Sequence, residues 1–185
     1  MQMGLLVMNR SSLSEWSPVV LRLAVGGGFI AHASAKLSRG PDAFAAVLHA
    51  LLVPAPHIMA WLTILVELVG GLAVVLGALI SVASLPLAAV LVVAMVTVHW
   101  PYGFLSIKLV AVTASGPQFG PPGVEINVLY LACLLALVLG GPGPLAADRL
   151  LRRRSAALDV NTDNERTPRR HNDGDPWREQ MYSDD

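Results

Sequence analysis

The chain has 185 residues, of which 54% are hydrophobic, and its mean hydropathy is +0.58. This composition excludes an ordinary water-soluble domain and predicts an integral membrane protein. The 13 basic residues balance the 13 acidic ones, so the overall charge indicates no nucleic-acid partner. Residues 152–185 hold seven of the basic and eight of the acidic residues, so few charges lie before them. A single cysteine, Cys133, excludes a disulfide within the chain.

Four apolar segments predict four membrane-spanning helices. Each segment is close to the ~20 residues that cross the hydrocarbon core. The link between the second and third segments is short, around Ser81 to Pro86, which predicts an antiparallel hairpin. The predicted fold class is therefore all-α, with a four-helix transmembrane bundle in residues 1–151. The spans run over about 17–37, 58–80, 82–100 and 124–146.

The segments outside the spans differ in character. Residues 41–52 place Phe44, Val47, Leu48 and Leu51 at positions i, i+3, i+4 and i+7, which predicts a short amphipathic helix on the membrane surface. The loop 101–123 is apolar and then rich in Gly and Pro, so it either re-enters the membrane in part or caps the bundle. Residues 152–185 have little apolar content, which predicts a disordered cytoplasmic tail.

The positive residues predict the orientation in the bacterial cytoplasmic membrane. The cluster RLLRRR at 149–154 directly follows the fourth span, so we expect the C-terminus in the cytoplasm. An even number of spans then places the N-terminus, with Arg10, on the same side. The loops 38–57 and 101–123 are expected outside.

A second interpretation of the first 35 residues is a signal peptide. Ala33-Ser34-Ala35 has the small-x-small form of a cleavage site. Arg22 would interrupt the apolar region of such a peptide, and a chain with three further spans has no need of cleavage. The sequence therefore favours a retained first span.

Ionisable side chains within or beside the predicted spans are the main candidates for function. Glu67 is the most informative, because it lies a third of the way along the apolar run WLTILVELVGGLAVVLGALI. At 1.5 Å per residue it lies about 10 to 15 Å below the outer boundary. Such groups are costly in hydrocarbon and usually face the bundle interior or a functional site. The candidates for ligand binding or proton exchange are Arg22, Lys36, Glu67, His99 and Glu125.

Small residues share the helix faces of these charged groups, which predicts close helix packing on the inward side. Gly70 and Gly71 follow Glu67 at i+3 and i+4, and Gly26 and Ala33 lie on the face of Arg22 and Lys36. The same reasoning assigns inward stripes to Ala88, Val92, Met95 and His99 in the third span, and to Glu125, Leu129, Ala132, Cys133 and Ala136 in the fourth.

Each of these residues also has a structural interpretation. Lys36 and Glu125 are suited to contact lipid headgroups, and His99 beside Trp100 is typical of an interfacial belt. Arg22 lies about a turn from the cytoplasmic edge, where it snorkels to the edge unless helix tilt brings it toward Glu67. Glu67 is compatible with a protonated carboxyl or with an ion pair that locks two helices.

Several stretches together resemble the DoxX family of small bacterial membrane proteins. The stretch LRLAVGGGFIAHASAKL (21–37), followed by Phe44, is similar to the opening of that family. ELVGGLAVVLG (67–77) resembles its second-helix signature, an acid followed by paired glycines. HWPYGF (99–104) and EINVLYLACLLALVLGGPGPLAADRLL (125–151) continue the resemblance.

The resemblance implies a small membrane bundle associated with quinone-linked oxidoreductase complexes and with thiol or oxidative-stress systems. One hypothesis is a redox-associated subunit that binds quinone or another small apolar ligand between its helices. A second is a non-catalytic scaffold or assembly factor for such a complex, and a third is a solute or proton pathway. The chain carries no Cys cluster, dinucleotide glycine loop or haem-attachment motif, so the sequence leaves open whether it is an enzyme.

A haem site is a weaker alternative. His32 and His99 lie at similar estimated depth on different spans, as the axial ligands of a b-type haem would. The same two histidines together with Glu125 are a still weaker candidate set for a metal ion, and the sequence predicts no metal site beyond these alternatives. Homo-oligomerisation stays open, because four short helices offer little room for a pathway within one chain.

Overall fold

The computed structural model describes residues 15–149, which are mostly helical. Five α-helices and one antiparallel β-hairpin follow one another, so the expectation of an all-α fold is correct except for the hairpin. The predicted disordered tail lies outside the described residues. The elements are α1 (Ser17–Arg39), α2 (Pro41–Ala50), α3 (Pro56–Leu76), α4 (Ile80–Ala94), β1 (Leu109–Thr113), β2 (Gly116–Phe119) and α5 (Glu125–Gly140).

Four of the helices form a ring. α1 packs along α3, α3 along α4, α4 along α5, and α5 returns to α1. Helices α3 and α5 therefore lie across the bundle from each other. We call its two ends the Lys36 end and the Arg22 end, after the residues near opposite ends of α1.

Helix α2 lies beside this ring at the Lys36 end. It packs mainly on α3, where Ala45 and Leu48 join Ala60 in a small apolar cluster. Phe44 packs at the margin of this cluster, whereas Val47 is half exposed. The predicted helix is present, but its packed face is shifted away from Val47.

Proline and glycine set the helix boundaries. Proline occupies the first turn of α1, α2 and α3. A backbone N–H at this position has no acceptor within the helix, so its absence in proline removes no hydrogen bond. Helix α3 ends at Gly77, whose φ of +67° is left-handed. The turn to α4 is therefore at 77–79, one turn earlier than the predicted turn at Ser81 to Pro86, and Pro86 lies inside α4.

Three helical segments are long and apolar enough to cross a membrane: Ser17–Arg39, Pro56–Leu76 and Ile80–Tyr102. The third is α4 continued by a π-helical turn at Met95–His99 and a short 3-10 turn at Trp100–Tyr102. The fourth, α5, is apolar but has 16 residues. It ends at Gly140 rather than near 146 as predicted, because Gly141 is left-handed and the prolines at 142 and 144 cannot donate helix hydrogen bonds.

The loop between α4 and α5 caps the bundle and then forms the hairpin. Backbone carbonyls of residues 103–105 accept hydrogen bonds from the N–H groups of Gly123, Val124 and Glu125, so this loop satisfies the start of α5. The strands β1 and β2 pair antiparallel, and their apolar side chains are exposed on both faces. Sequence reasoning left capping open and did not predict the strands.

The buried face of α5 differs from the predicted stripe. Asn127, Leu134 and Leu137 are buried, whereas Leu129 is 58% exposed. In α4 the buried positions are Ile80, Ser84 and Leu87, and the predicted Val92 is partly exposed. The apolar pattern of these helices is nearly uniform around the axis, so periodicity alone did not identify the inward side.

Candidate functional site

Lys36 and Glu67 form an ion pair between α1 and α3. The Nζ of Lys36 donates to Oε2 of Glu67 at 2.5 Å. The Glu67 side chain is only 6% exposed and that of Lys36 is 22% exposed, so the pair opens toward the Lys36 end. The structure thus brings together two of the five predicted site residues.

The small residues near this pair allow the two helices to approach closely. A Cβ on Gly26 would lie 2.6 Å from the carbonyl oxygen of Gly71, and a Cβ on Gly71 would lie 2.9 Å from that of Gly26. Ala33, one turn before Lys36, is fully buried. The predicted small-residue face of α1 is therefore the face that contacts α3.

The ring of Phe44 packs against the cation of this pair. The Lys36 ammonium lies 4.9 Å from the centroid of the Phe44 ring, within the range of a cation–π interaction. Helix α2 positions this ring by packing Ala45 and Leu48 on α3. The ammonium group thus contacts a carboxylate on α3 and an aromatic face on α2.

Arg22 lies at the other end of the bundle and does not join this pair. Its Nε and Nη2 donate to the carbonyls of Val74 and Val75 at 2.7 to 3.3 Å, in the last turn of α3. Its Nη1 donates to the carbonyls of Pro142 and Pro144 at 2.9 and 3.2 Å. Val74 is two turns from Glu67, or about 10 Å along the helix. Arg22 therefore fastens helix ends, since a cation is favourable at a helix C-terminus.

Asp148 completes the Arg22 end. Its Oδ2 accepts from the N–H of Leu79 at 2.8 Å, just before the start of α4. A cleft of about 530 Å³ also opens at this end, between the start of α1 and the end of α5, with Glu15 and Arg149 among its lining residues. This cleft is remote from the Lys36–Glu67 pair.

Glu125 and His99 lie in the capping loop region at the Lys36 end. Glu125 is exposed, and its Oε2 accepts from the N–H of Ser106 at 2.9 Å, while the Ser106 hydroxyl accepts from the N–H of Ile126 at 3.2 Å. This reciprocal pair resembles a capping box. His99 places its Nδ1 3.0 Å from the carbonyl oxygen of Pro122. The Ser106 contacts fix the loop to α5, and the His99 contact fixes it to the helical segment that continues α4.

The two histidines of the haem alternative have different surroundings. His32 lies on the exposed face of α1, whereas Ala33 beside it is buried. His99 is half buried and contacts the capping loop. Within residues 15–149, no group of three or more His, Cys, Asp or Glu side chains is arranged to hold a metal ion.

Asn127 is a polar residue that sequence reasoning did not single out. It is 3% exposed in the bundle interior, and its Nδ2 donates to the carbonyl of Leu91 at 3.3 Å. Its Oδ1 is buried without a hydrogen-bond partner among the described residues, as is the Ser84 hydroxyl. The available signal was a lone amide within an apolar span, a feature typical of functional or helix-pairing positions in membranes.

Comparison with family models matches residues 17–100 to DoxX. Residues 17–100 are therefore similar to the DoxX family. The matched region contains α1 to α4, and with them both members of the Lys36–Glu67 pair. The predicted DoxX resemblance is thus confirmed, and the apolar helices make this a membrane protein. The stretch 125–151, part of the predicted resemblance, lies beyond the match. No curated protein and no solved structure matches the chain significantly.

Proposed function

We propose that this DoxX-domain protein is a subunit or partner of a membrane oxidoreductase system and binds a quinone or another small apolar ligand beside Lys36 and Glu67. The observation that carries the proposal is the largely buried Lys36–Glu67 pair with an aromatic ring against its cation. A buried ion pair is seldom a net source of stability, so its presence in a small bundle favours a functional role.

The pair has the chemistry that a quinone requires. An ammonium group has three N–H donors, and Glu67 uses one of them, so Lys36 can also donate to a ligand carbonyl. Reduction of a quinone consumes two electrons and two protons, and Glu67 with Lys36 would exchange those protons. The electrons would come from a partner oxidoreductase.

The proposal includes a definite topology. The short α5 crosses the bilayer together with the chain beyond Gly140, which makes four spans. The arginine cluster at 149–154 orients the C-terminus toward the cytoplasm, and four spans then place the N-terminus on the same side. The Lys36 end therefore faces outward. The membrane is the bacterial cytoplasmic membrane.

A second candidate function is a non-catalytic scaffold or assembly factor. It is favoured by Arg22, whose donors are all directed to backbone carbonyls of the fold itself. If Lys36 and Glu67 serve the same purpose, they lock α1 to α3 and give packing specificity.

Glu67→Gln separates the two candidates, because it removes the charge and keeps the shape. For the purified full chain in lipid nanodiscs, we expect binding of a short-chain benzoquinone to weaken at least tenfold while the fold is kept. In Glu67→Gln the ammonium of Lys36 loses its counter-charge. Lys36→Met removes the ammonium itself and should likewise weaken quinone binding. Glu15→Gln, at the Arg22 end, is the matched control and should leave binding unchanged.

Two outcomes would contradict the ligand site. Unchanged quinone binding and an unchanged redox phenotype in Glu67→Gln, with partner association intact, would exclude Glu67 from any site. Loss of folding alone would assign the pair to packing, as the scaffold requires.

A further inference from the structure

Two adjacent layers of side chains cross the bundle near the Lys36–Glu67 pair. The first is apolar: Phe29 contacts Tyr130 edge-on with ring centroids 5.4 Å apart, and a Cβ on Gly71 would lie 3.0 Å from the Cβ of Phe29. Gly70 faces Leu87 in the same layer. We call Phe29, Gly71, Leu87 and Tyr130 the aromatic layer.

One helical turn toward the Lys36 end, each of the four helices contributes a residue to a second layer, which consists of Ala33, Glu67, Leu91 and Asn127. Each of these lies three or four residues along its helix from a member of the aromatic layer, an advance of about 5 to 6 Å, so the four lie at a common level. The hydrogen bond from Asn127 to the Leu91 carbonyl confirms that α4 and α5 meet there. We call Ala33, Glu67, Leu91 and Asn127 the polar layer.

Glu67 and Asn127 approach this layer from opposite sides. They belong to α3 and α5, which lie across the ring from each other, and they are 5% and 3% exposed. Both side chains are thus enclosed within the bundle at one level. The amide nitrogen of Asn127 is engaged, but its oxygen has no partner among residues 15–149.

We infer that Asn127 is a ligand-contacting residue of the same site and that its Oδ1 accepts a hydrogen bond from a hydroxyl or N–H group of the ligand. This inference rests on the proposed function. Lys36 can donate to an oxygen of either a quinone or a hydroquinone. Only the hydroquinone also has an O–H group to satisfy Asn127, so the site selects the reduced form.

The size of the preference follows from the unsatisfied acceptor. Leaving a buried polar atom without a partner costs about 1 to 3 kcal/mol, and 1.4 kcal/mol corresponds to a tenfold change in affinity. We therefore expect the hydroquinone to bind about tenfold more tightly than the quinone.

The test measures binding of three ligands to the full chain in nanodiscs by anaerobic equilibrium dialysis. The ligands are a short-chain benzoquinone, its hydroquinone, and the dimethyl ether of that hydroquinone, which keeps the ring and lacks the O–H donors. The wild-type protein should bind the hydroquinone about tenfold more tightly than either of the other two.

Asn127→Leu should reduce this preference to less than about twofold. Ser84→Ala is the matched control, because it removes the other unpartnered buried oxygen but lies two turns of α4 away from Leu91. It should keep the preference. If Asn127→Leu fails to fold, the dimethyl ether still tests the requirement for a donor on the wild-type protein.

The outcomes separate the two proposals. Equal affinities for the three ligands, or a preference that survives Asn127→Leu, would overturn the role of Asn127 and leave the proposed ligand site intact. Failure of the wild-type protein to bind any of the three would overturn the proposed ligand site, and the role of Asn127 with it.

Discussion

At the scale of single residues, the buried charges of this protein are satisfied in two different ways. Glu67 receives a hydrogen bond from a side chain, Lys36, whereas Arg22 is satisfied by backbone carbonyls of two separate segments. A carboxylate can change its protonation state, but a guanidinium remains charged. Under the proposed function Glu67 takes part in proton exchange at the Lys36 end, whereas Arg22 supports the fold at the other end.

Replacement of Arg22 should destabilise the fold. Arg22→Ala leaves the carbonyls of Val75, Pro142 and Pro144 without their donor, and we expect a loss of about 3 kcal/mol in the free energy of unfolding. Arg22→Lys keeps the charge but lacks the planar fork that reaches both segments, so its loss should be smaller. Unfolding in mixed micelles measures both values. Equal stability of Arg22→Ala and the wild type would contradict this role.

Sequence reasoning identified the charged residues but only part of their arrangement. Lys36 and Glu67 were placed on inward faces because small residues lie beside them, and the structure pairs them. The partners of Arg22 were not predictable, because they are carbonyls whose position depends on where α3 and α5 end. Asn127 was missed because α5 is apolar around its whole circumference, so no stripe marked the inward side.

At the scale of the elements, the packing of α1 on α3 depends on a glycine contact. Gly26 and Gly71 approach so closely that a Cβ on either would meet the carbonyl oxygen of the other. In a membrane there is little hydrophobic force between helices, so such close packing is a main source of their association. The contact also sets the distance between Lys36 and Glu67, since both pairs join the same two helices.

Two neighbouring glycines of α1 provide a matched test of this contact. Gly26→Ala would place its Cβ 2.6 Å from the Gly71 carbonyl oxygen, so the helices must separate, and we expect a loss of about 1 to 3 kcal/mol. Gly27→Ala meets nothing within 4 Å and should be neutral or stabilising by up to about 1 kcal/mol. Unfolding in mixed micelles compares them. Equal effects of the two substitutions would exclude close packing at Gly26.

Helix existence was more predictable than helix boundaries. Runs of apolar residues located the three long helices and the shorter α5, because length and hydropathy are local properties of the chain. The turn was predicted too late, around Ser81 to Pro86, whereas the chain turns at 77–79, where Gly77 is left-handed and Asp148 accepts from Leu79. That contact comes from a residue far along the chain and has no local signal.

At the scale of the whole molecule, the number of membrane crossings decides whether the capping loop and the tail lie on the same side of the membrane. The three long spans alone would place the capping loop and the tail on one side of the membrane. A crossing by α5 would place them on opposite sides. With 16 residues and 1.5 Å per residue, α5 covers about 24 Å, slightly less than the hydrocarbon core.

Cysteine labelling of intact cells distinguishes these arrangements. In a Cys133→Ser background, we expect a membrane-impermeant maleimide to label Asp42→Cys and Ala114→Cys but not Ser183→Cys in the tail. The side chain of Asp42 is 92% exposed, so a lack of labelling there would reflect its side of the membrane. Permeabilised cells provide the control, in which all three should react. Labelling of all three positions in intact cells would mean that α5 does not cross, whereas labelling of Ser183→Cys alone would mean that the orientation is inverted.

The contact between Arg22 and residues 142 and 144 also has a consequence for biosynthesis. Arg22 emerges from the ribosome more than a hundred residues before its last two acceptors, so it enters the membrane with only part of its donors satisfied. The Arg22 end can therefore close only after residues 142–144 have been synthesised. A chain terminated before Pro142 would therefore expose a partly uncoordinated guanidinium, which quality-control proteases could recognise as unfinished assembly.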